Sequence, residues 1–538
     1  MIRASVVFLV VGLIGASILY DRVDPIVRDE TIEPALVITP SVNDPARLDA
    51  AWYCPVGSSI EGGYADHTVQ IANFGDNIAV ASLGTVTDSG RGPTSNINVA
   101  PRSSIVVDMS TIVKAEAVGA VVEIIGGTGV VSHQVTTAHG VVGGPCATHV
   151  SSSWYFAAGR TTRDSSEILA LMNPFPEDVV FNMEFHRAAG RPRLPAELQG
   201  ATIPANSVQL VRVEEHVARE EDVAVAITTV RGRLVAERLQ TLDGEMGPSG
   251  ASLQLGALGP AESWMLSAGR VHADGDDRVI VFNPSETETA EVNVDLWPLN
   301  PTDRSLYGLT PIPRQLLPGR FEVVDLAVEA DRFGLLLPYD VGVSVSSTNG
   351  VPVVAERWQF GAKLSSGLLG AALLDDTEPE QAAEADETAQ ASESESDEPL
   401  DPFVEPGELD LPGIFGGTVQ DQLQPTADAG ISVSRGTEVL STRWIIPWVP
   451  TPSGTSSVVV ASSPTDATIE VFTLSGGVLQ GPSEATIQAG GRVLVPIAVS
   501  GNGSPILIVS DAPISVEGYV VEPGVGQSVI PGIPTVYQ

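Results

Sequence analysis

Short runs of alternating apolar and polar residues dominate the sequence, and turn-forming residues separate them. Examples are DVVFNMEFH at 178–186 and RLVAERLQTL at 233–242. Alternation with a period of two is typical of β-strands that bury one face. The pattern therefore predicts an all-β protein made of many short strands.

A longer pattern repeats along the chain. SWYFAAGRTTRDSSEILALMNP occupies 153–174, and SWMLSAGRVHADGDDRVIVFNP occupies 263–284. The opening residues Trp154 and Trp264 lie at the same distance from the Asn-Pro step, and fainter copies begin at Trp52 and Trp444. Each copy opens a unit of roughly 80 to 100 residues with six or seven strands, which fits an immunoglobulin-like β-sandwich.

The repeat predicts tandem sandwiches over four ranges of the chain. The predicted sandwiches occupy residues 51–150, 151–260, 261–374 and 431–538. A β-propeller is the main alternative, but its blades are about half this length, and no half-length repeat is visible. We therefore expect a string of sandwiches.

Polar residues recur at matching places in the units. The last long strand carries one between apolar neighbours, at His133, Glu237, Glu356 and Glu517. Arg160 and Arg270 both follow the glycine of the opening motif. Recurrence favours a structural pairing role, and a ligand site repeated in each unit is the alternative. The tryptophans at 52, 154 and 264 are interpreted first as anchors of the sandwich cores.

The N-terminus carries an apolar run, ASVVFLVVGLIGASILY, after Arg3. Residues 1–23 are predicted to be a transmembrane signal-anchor, with the bulk of the chain outside the cytoplasm. Secretion after cleavage is the alternative, because Gly15 and Ser17 form a weak cleavage site. The proline-containing segment 24–50 is interpreted as an extended stalk.

Two cysteines, Cys54 and Cys146, are present, and neither has the CxxC partner of a zinc site. An extracytoplasmic location favours one disulfide between them. Such a bridge would join the start of the first sandwich to its exit.

The formal net charge is -39, and part of it lies in a segment rich in Glu, Asp, Ser and Pro. This charge repels nucleic acid and anionic lipid headgroups, so we discount nucleic-acid binding. Residues 375–430 are predicted to be a disordered acidic linker, since their composition cannot bury enough apolar surface. The fourth sandwich is therefore expected to move independently of the other three.

Patterns that indicate chemistry are weak. The seven histidines are scattered without HxH or HExxH spacing, and no phosphate-binding GxxxxGK[ST] occurs. His133 and His139 lie six apart, which makes them only a poor candidate for a metal site. The loop 272–277 groups three aspartates, but Asp-Gly-Asp is also an ordinary turn, so calcium is the weaker interpretation. We expect no catalytic residues, no cofactor and no metal, with a hydrolase as the last alternative.

Several motifs together resemble a known family. They are AWYCPVG at 51–57, a second cysteine shortly before W-Y-F-x-x-G, the Asn-Pro strand ends and the VAER strands. The chain resembles an uncharacterised actinobacterial family of membrane-anchored extracytoplasmic proteins with domains of unknown function, over most of 50–365. The resemblance implies a cell-envelope location and carries over no catalytic residues.

These observations predict a non-catalytic envelope protein, a structural or interaction scaffold held in the cytoplasmic membrane by its N-terminal helix. Its expected partners are a cell-wall polymer or an envelope protein. One alternative is a carbohydrate or glycopolymer-binding module that uses loops near the tryptophans, which requires exposed aromatic platforms. The other is an accessory subunit of an envelope enzyme or transporter.

Overall fold

The structure is a computed structural model of the chain. It describes residues 49–125, 129–245, 248–273, 275–360, 431–447, 456–497, 503–522 and 526–535. The predicted membrane segment at 1–23, nearly all of the predicted stalk at 24–50 and the acidic segment at 375–430 lie outside them. Within the described part, no helix has the length and apolar character needed to cross a membrane. Strands dominate this part, which confirms the all-β prediction.

The first sandwich packs two antiparallel sheets face to face. Its strands are β1 (Asp49–Cys54), β2 (Asp66–Asn73), β3 (Ala79–Thr87), β4 (Gly90–Val99), β5 (Ser103–Asp108), β6 (Val118–Ile125), β7 (Gly129–Thr137) and β8 (Gly140–Pro145). One sheet, named sheet A, has the order β5-β2-β7-β8, and the other, sheet B, has the order β1-β6-β3-β4. Buried side chains of both sheets form one core that includes Trp52 and Cys54.

The second sandwich repeats this plan. Its strands are β9 (Ser153–Phe156), β10 (Ser165–Asn173), β11 (Val179–Arg187), β12 (Gln199–Ile203), β13 (Ser207–Arg212), β14 (Val223–Arg231), β15 (Val235–Asp243) and β16 (Ser249–Leu255). Sheet A is β13-β10-β15-β16, and sheet B is β12-β11-β14-β9. A short helix, α1 (Val213–His216), follows β13.

The third sandwich has the same two sheets and two more helices. Its strands are β17 (Ser263–Leu266), β18 (Arg270–Val271), β19 (Asp276–Asn283), β20 (Ala290–Pro298), β21 (Ile312–Leu316), β22 (Arg320–Asp325), β23 (Tyr339–Ser347), β24 (Val354–Phe360) and β25 (Ile431–Arg435). Sheet A is β22-β19-β24-β25, and sheet B is β17-β23-β20-β21, with β18 also on β23. The helices are α2 (Thr302–Leu306) and α3 (Leu326–Phe333).

The fourth sandwich shares one long strand between its two sheets. Its strands are β26 (Ser441–Ile446), β27 (Ser456–Ser463), β28 (Ala467–Ser475), β29 (Val478–Ile487), β30 (Gly491–Pro496), β31 (Ile506–Glu522), β32 (Gly526–Pro531) and β33 (Ile533–Pro534). Sheet A contains β30, β27, the second half of β31 and β32. Sheet B contains β29, β28, the first half of β31, β26 and β33.

The asparagine at the end of the second strand explains the Asn-Pro signature. The Asn173 side-chain amide donates to the carbonyl oxygens of Glu177 and Pro204 at 2.8 and 3.0 Å, and its Oδ1 accepts from the Phe175 amide. Asn73 and Asn283 make the equivalent bonds. One buried side chain thus ties two loops together, so the motif is a folding signature.

The disulfide prediction is confirmed. Cys54 at the end of β1 is bonded to Cys146, which directly follows β8. The bridge joins sheet B to the exit of sheet A in the first sandwich. It encloses a loop with a sequence separation of 92 residues.

Each sandwich contacts the next, and the last contacts the first. Strand β13 pairs with β3 through Ser207 and Thr87. Strand β22 contacts β11, and β30 contacts β20. The ring closes because Ile445, Leu507 and Ile533 of the fourth sandwich lie in the core of the first. Sheets A and B therefore alternate around a closed ring.

The last strand of each sheet A lies at the centre of this ring. Strand β8 contacts β16, β16 contacts β25, β25 contacts β32, and β32 contacts β8. Serine hydroxyls join neighbours, since Ser252 Oγ accepts from the Val433 amide at 3.0 Å and Ser432 Oγ from the Val529 amide at 2.9 Å. Serine side chains thus link inner strands that are not paired with one another by backbone hydrogen bonds.

The ring corrects two expectations. The prediction of a string of sandwiches is wrong, because the sheets follow one another around a centre, as propeller blades do. Within this ring, consecutive segments of the chain still build two-sheet sandwiches. The independent fourth sandwich is also wrong, because it packs on both the third and the first. Moreover, β25 pairs with β24, so the third sandwich includes 431–435, which the sequence analysis assigns to the fourth. The acidic segment therefore joins two neighbouring strands of one sheet.

Candidate functional site

The register of sheet A aligns the repeated polar residues. Glu237 lies opposite Ala170, three residues before the strand-ending Asn173. In the other three sandwiches, the residue opposite the position three before the end of that strand is Glu356, Glu517 or Ser132. His133 is therefore the equivalent of Arg238, one residue later. The sequence alignment of His133 with Glu237 is wrong by one position.

The repeated glutamates bind the preceding sandwich. Glu237 Oε2 accepts a hydrogen bond from the Val56 amide at 3.1 Å. Glu356 Oε2 accepts one from the Ala158 amide at 2.7 Å, and Glu517 Oε2 accepts one from the Ala268 amide at 2.6 Å. Each donor lies four residues after the tryptophan that opens its sandwich. The tryptophan motif and the glutamate strand are thus two sides of one interface.

A basic residue of the preceding sandwich completes each contact. His133 Nε2 lies 2.8 Å from Glu237 Oε1, and Arg238 Nη2 lies 3.1 Å from Glu356 Oε2. At the third interface, the positive charge of Arg357 lowers the pKa of Glu517, against a larger rise caused by burial. Every interface from the first to the fourth sandwich therefore places a carboxylate near a base.

A third residue, six positions before the strand-ending asparagine, belongs to each group, through hydrogen bonds in the first and third groups and through charge interactions in the second. His67 contacts His133 at 3.1 Å between ring nitrogens. Asp277 accepts two hydrogen bonds from the guanidinium of Arg357, at 2.8 and 2.5 Å. We name the groups the polar trios: trio 1 is His67, His133 and Glu237, trio 2 is Glu167, Arg238 and Glu356, and trio 3 is Asp277, Arg357 and Glu517.

Trio 2 contains two carboxyl groups and one guanidinium in a buried site. Burial raises the pKa of Glu167 to about 8, and the negative charges of Glu214 and Glu356 add to the rise, while Arg238 opposes it. A carboxyl without a full counter-charge retains its proton because ionisation in an apolar site is costly. Glu167 is therefore protonated at neutral pH.

The other two trios are also shifted by burial. Burial raises the pKa of Glu517 to about 7 and raises that of Asp277. It lowers the pKa of His67, and the neighbouring His133 lowers it further. The hydrogen bond between the His67 ring and the carbonyl oxygen of Val118 opposes this lowering of the pKa without cancelling it.

The closing interface has no trio. The equivalent positions hold Ser457, Gly518 and Ser132. Apolar side chains of the fourth sandwich enter the first core there instead. A buried charge without a counter-charge is costly. The closing interface lacks both the acid and the base, so it contains no such charge.

The two repeated arginines extend these interfaces. Arg160 forms an ion pair with Glu221, and its guanidinium lies over the rings of Trp358 and Phe360, at 5.8 and 4.8 Å from their centroids. Arg270 is buried, and its charge lowers the pKa of Tyr519 against a larger rise due to burial. Tyr519 is the register equivalent of Trp358.

The repeated tryptophans are buried anchors. Trp52, Trp154 and Trp264 are at most 1% exposed. Trp154 Nε1 donates to the carbonyl oxygen of Leu234, and Trp264 Nε1 donates to that of Val353. They cannot serve as platforms for a sugar ring, which removes the aromatic loops on which the carbohydrate alternative depended.

The trios are inaccessible to a substrate, since all of their members are buried. In the part of the chain that the structure describes, no group of three His, Cys, Asp or Glu side chains is arranged to hold a metal ion. In the 272–277 loop, Asp277 binds Arg357, and Asp276 binds Arg278. These carboxylates are taken up by arginines, so the loop gains no support as a calcium site.

Open clefts occur elsewhere. A cleft of about 660 Å³ is lined by Phe175, Pro176, Glu177, Asp178, Val179, Arg231, Gly232 and Arg233. It lies at the end of the second sandwich where the Asn-Pro turn meets the β14–β15 hairpin. Arg233 lies 5.9 Å from the centroid of the Phe175 ring.

Comparison with known proteins supports a family match over part of the chain. Residues 131–367 match the model of a family of unknown function, DUF5719. The match runs from β7 of the first sandwich past the end of β24 in the third. It agrees with the expected resemblance to an uncharacterised family. No curated protein matches.

Two solved structures show distant likeness. A Thermotoga maritima protein, 1070, is 14% identical, with a TM-score of 0.18, over 20% of this chain and 95% of its own. The Streptomyces avermitilis α-L-rhamnosidase complexed with L-rhamnose is 10% identical, with a TM-score of 0.13, over 60% of this chain and 46% of its own. Neither carries an argument about function.

Proposed function

We propose that this chain is a non-catalytic, membrane-anchored protein of the cell envelope, with its sandwiches outside the cytoplasm, where the ring acts as a scaffold for envelope partners. The observation that carries the proposal is the way in which neighbouring sandwiches are locked together. Three interfaces join a buried glutamate to a backbone amide of the preceding sandwich. The recurring polar residues of the repeats are thus used for assembly, which leaves the outer surfaces for partners.

The disulfide supports the location. Bonds such as Cys54–Cys146 persist in oxidising compartments and are rare in the cytosol. The apolar run near the N-terminus supplies the anchor in this proposal.

The location is tested in cells that express the full chain with alkaline phosphatase fused to its C-terminus. That enzyme is active only outside the cytoplasm, so we expect activity in the membrane fraction. A chain without residues 1–23 is the control and should be inactive and soluble. Activity of this control, or inactivity of the full chain, contradicts the proposal.

The scaffold role is tested by placing a photo-crosslinking residue at exposed positions of the full chain. Leu306 and Val328 are 73% and 62% exposed, and the buried Leu171 serves as the control position. Crosslinks from the exposed sites to the same envelope protein support a scaffold. A stoichiometric complex with an envelope enzyme or transporter favours the accessory role instead.

A glycopolymer-binding role is the second candidate, and the cleft beside Phe175 favours it. An aromatic ring beside guanidinium groups suits a polar, hydroxyl-rich ligand. Purified cell-wall polymer should then sediment the full chain, and Phe175→Ala with Arg233→Ala should abolish this. Equal sedimentation of the variant and the wild type counts against binding in this cleft.

A further inference from the structure

Strand β5 is an exposed edge of the first sandwich. It ends the order β5-β2-β7-β8, and no strand among the described residues pairs with its other side. Ile105 and Val106 at its centre are 38% and 53% exposed. An edge strand with exposed apolar side chains is a template for pairing with another chain.

The equivalent strands of the other sandwiches contact the preceding sandwich. Register aligns Val106 with Leu210, Val323 and Leu494. Leu494 is 7% exposed and packs in a cluster with Ala268 of the preceding sandwich. Strands β13, β22 and β30 contact β3, β11 and β20, whereas β5 makes no comparable contact with β28 among the described residues. Among the described residues, the ring thus closes around its inner strands, and no strand covers the outer edge of β5.

The charges that flank β5 match those of a second copy in antiparallel pairing. Arg102, which forms an ion pair with Asp76 of its own chain, directly precedes the strand, and Asp108, whose side chain accepts a hydrogen bond from the Ser110 amide, ends it. If Ile105 lies opposite Ile105 of the second copy, each Arg102 lies opposite the other chain's Asp108. Opposite charges across paired strands are favourable, and like charges are not. The same register places Val106 opposite the small Ser104.

We propose that β5 is a self-association surface through which two copies of this chain pair edge to edge about a two-fold axis. The interface is isologous, because the same strand contributes from both copies, and it joins the two A sheets into one continuous sheet. The formal net charge of -39 on each copy opposes association. Salt screens this repulsion, so pairing strengthens between low and physiological ionic strength.

The experiment places one thiol on the proposed axis. Ile105→Cys in the full chain is treated with a short bis-maleimide, because the two Cβ atoms of an opposed antiparallel pair lie about 5 Å apart. Val230→Cys is the matched control, since Val230 is 68% exposed and lies away from β5. We expect at least tenfold more covalent dimer from Ile105→Cys on a non-reducing gel, and more at 150 mM salt than at 10 mM.

A second substitution tests the apolar contact. Val106→Lys in the Ile105→Cys chain should reduce the dimer at least tenfold while the thermal midpoint stays unchanged, because Val106 is already half exposed. Equal dimer yields from Ile105→Cys and Val230→Cys overturn the proposal. A dimer yield that Val106→Lys leaves unchanged also overturns the proposal.

Discussion

Glu356 in the third sandwich accepts a hydrogen bond of 2.7 Å from the backbone amide of Ala158 in the second. The donor lies four residues after Trp154, and the acceptor lies in the VAER strand of the next unit. Two repeated motifs that are far apart in the chain therefore meet at one interface. The same pair of positions meets again at two other interfaces.

The first prediction concerns the loss of one carboxylate. Glu356→Ala leaves the buried Arg238 without its ion pair and the Ala158 amide without an acceptor. We expect a loss of about 3–5 kcal/mol in the free energy of unfolding, measured by urea denaturation. Ser132→Ala at the closing interface is the matched control and should cost under about 1 kcal/mol, because no ion pair is lost. Equal effects of the two substitutions would contradict the role of the trios.

The second prediction uses a double-mutant cycle. Glu356→Leu and Arg238→Met remove the acid and the base of trio 2, together or singly. Each single substitution leaves a buried group without its partner, but the double variant leaves neither charge. The coupling energy between the sites should be about 1–3 kcal/mol, so that the double variant is more stable than the sum of the singles implies. Additive effects would show that the pair contributes nothing as a pair.

The third prediction is a pH dependence from Glu167. Its folded-state pKa is about 8, raised from 4.5 mainly by burial. Between these values, the unfolded carboxyl has lost its proton while the folded one keeps it, so stability falls as pH rises through this window. Glu167→Gln should therefore be close to the wild type near pH 4.5 and exceed it at pH 9 by on the order of 4–5 kcal/mol.

The free energies of unfolding of the wild type and of Glu167→Gln are measured by urea denaturation at pH 5, 7 and 9. The difference between the two chains is compared across these pH values. This difference cancels the separate contribution of Glu517, whose pKa of about 7 gives a dependence of the same sign. Glu177→Gln, a substitution of the same type at an exposed position, is the matched control. A Glu167→Gln difference that stays constant with pH would show that Glu167 is ionised in the folded protein.

The fourth prediction concerns the disulfide. Cys54→Ser with Cys146→Ser removes a bridge that closes a loop with a sequence separation of 92 residues. Loss of this constraint on the unfolded chain should cost about 4 kcal/mol, seen as a lower thermal midpoint. The thermal midpoint of the wild-type protein in excess reductant should fall by the same amount. An intact-mass measurement without reductant that finds two free thiols would refute the bridge.

Particular residues show where sequence reasoning succeeded. Alternation in DVVFNMEFH corresponds to β11, whose inward residues are buried and whose outward ones are less so. The stretch ILALM in β10 is apolar throughout because sheet A is buried on both sides, by its own sandwich and by its neighbour. That run was the available signal for the ring. A run of this length fits any buried strand, so it did not reveal what lies on the second face.

The misplacement of His133 has a physical cause. A shift of one residue in a strand turns a side chain to the opposite face of its sheet. Sequence similarity aligned His133 with the glutamates, but its register matches Arg238. Only backbone pairing distinguishes the two positions. Contact between Glu237 and Val56, which are 181 residues apart, is likewise decided by how two sandwiches pack.

The sequence by itself determined the strands, the sandwich repeat, the tryptophan anchors and the pairing of the two cysteines. Each follows from local periodicity, from spacing, or from the small number of possible partners. The tertiary structure alone decided that the sandwiches close into a ring, that trios of buried polar residues join three of its interfaces, and that no described strand pairs with the outer edge of β5. These features depend on side chains that meet across domain surfaces, and sequence spacing does not specify how such surfaces pack.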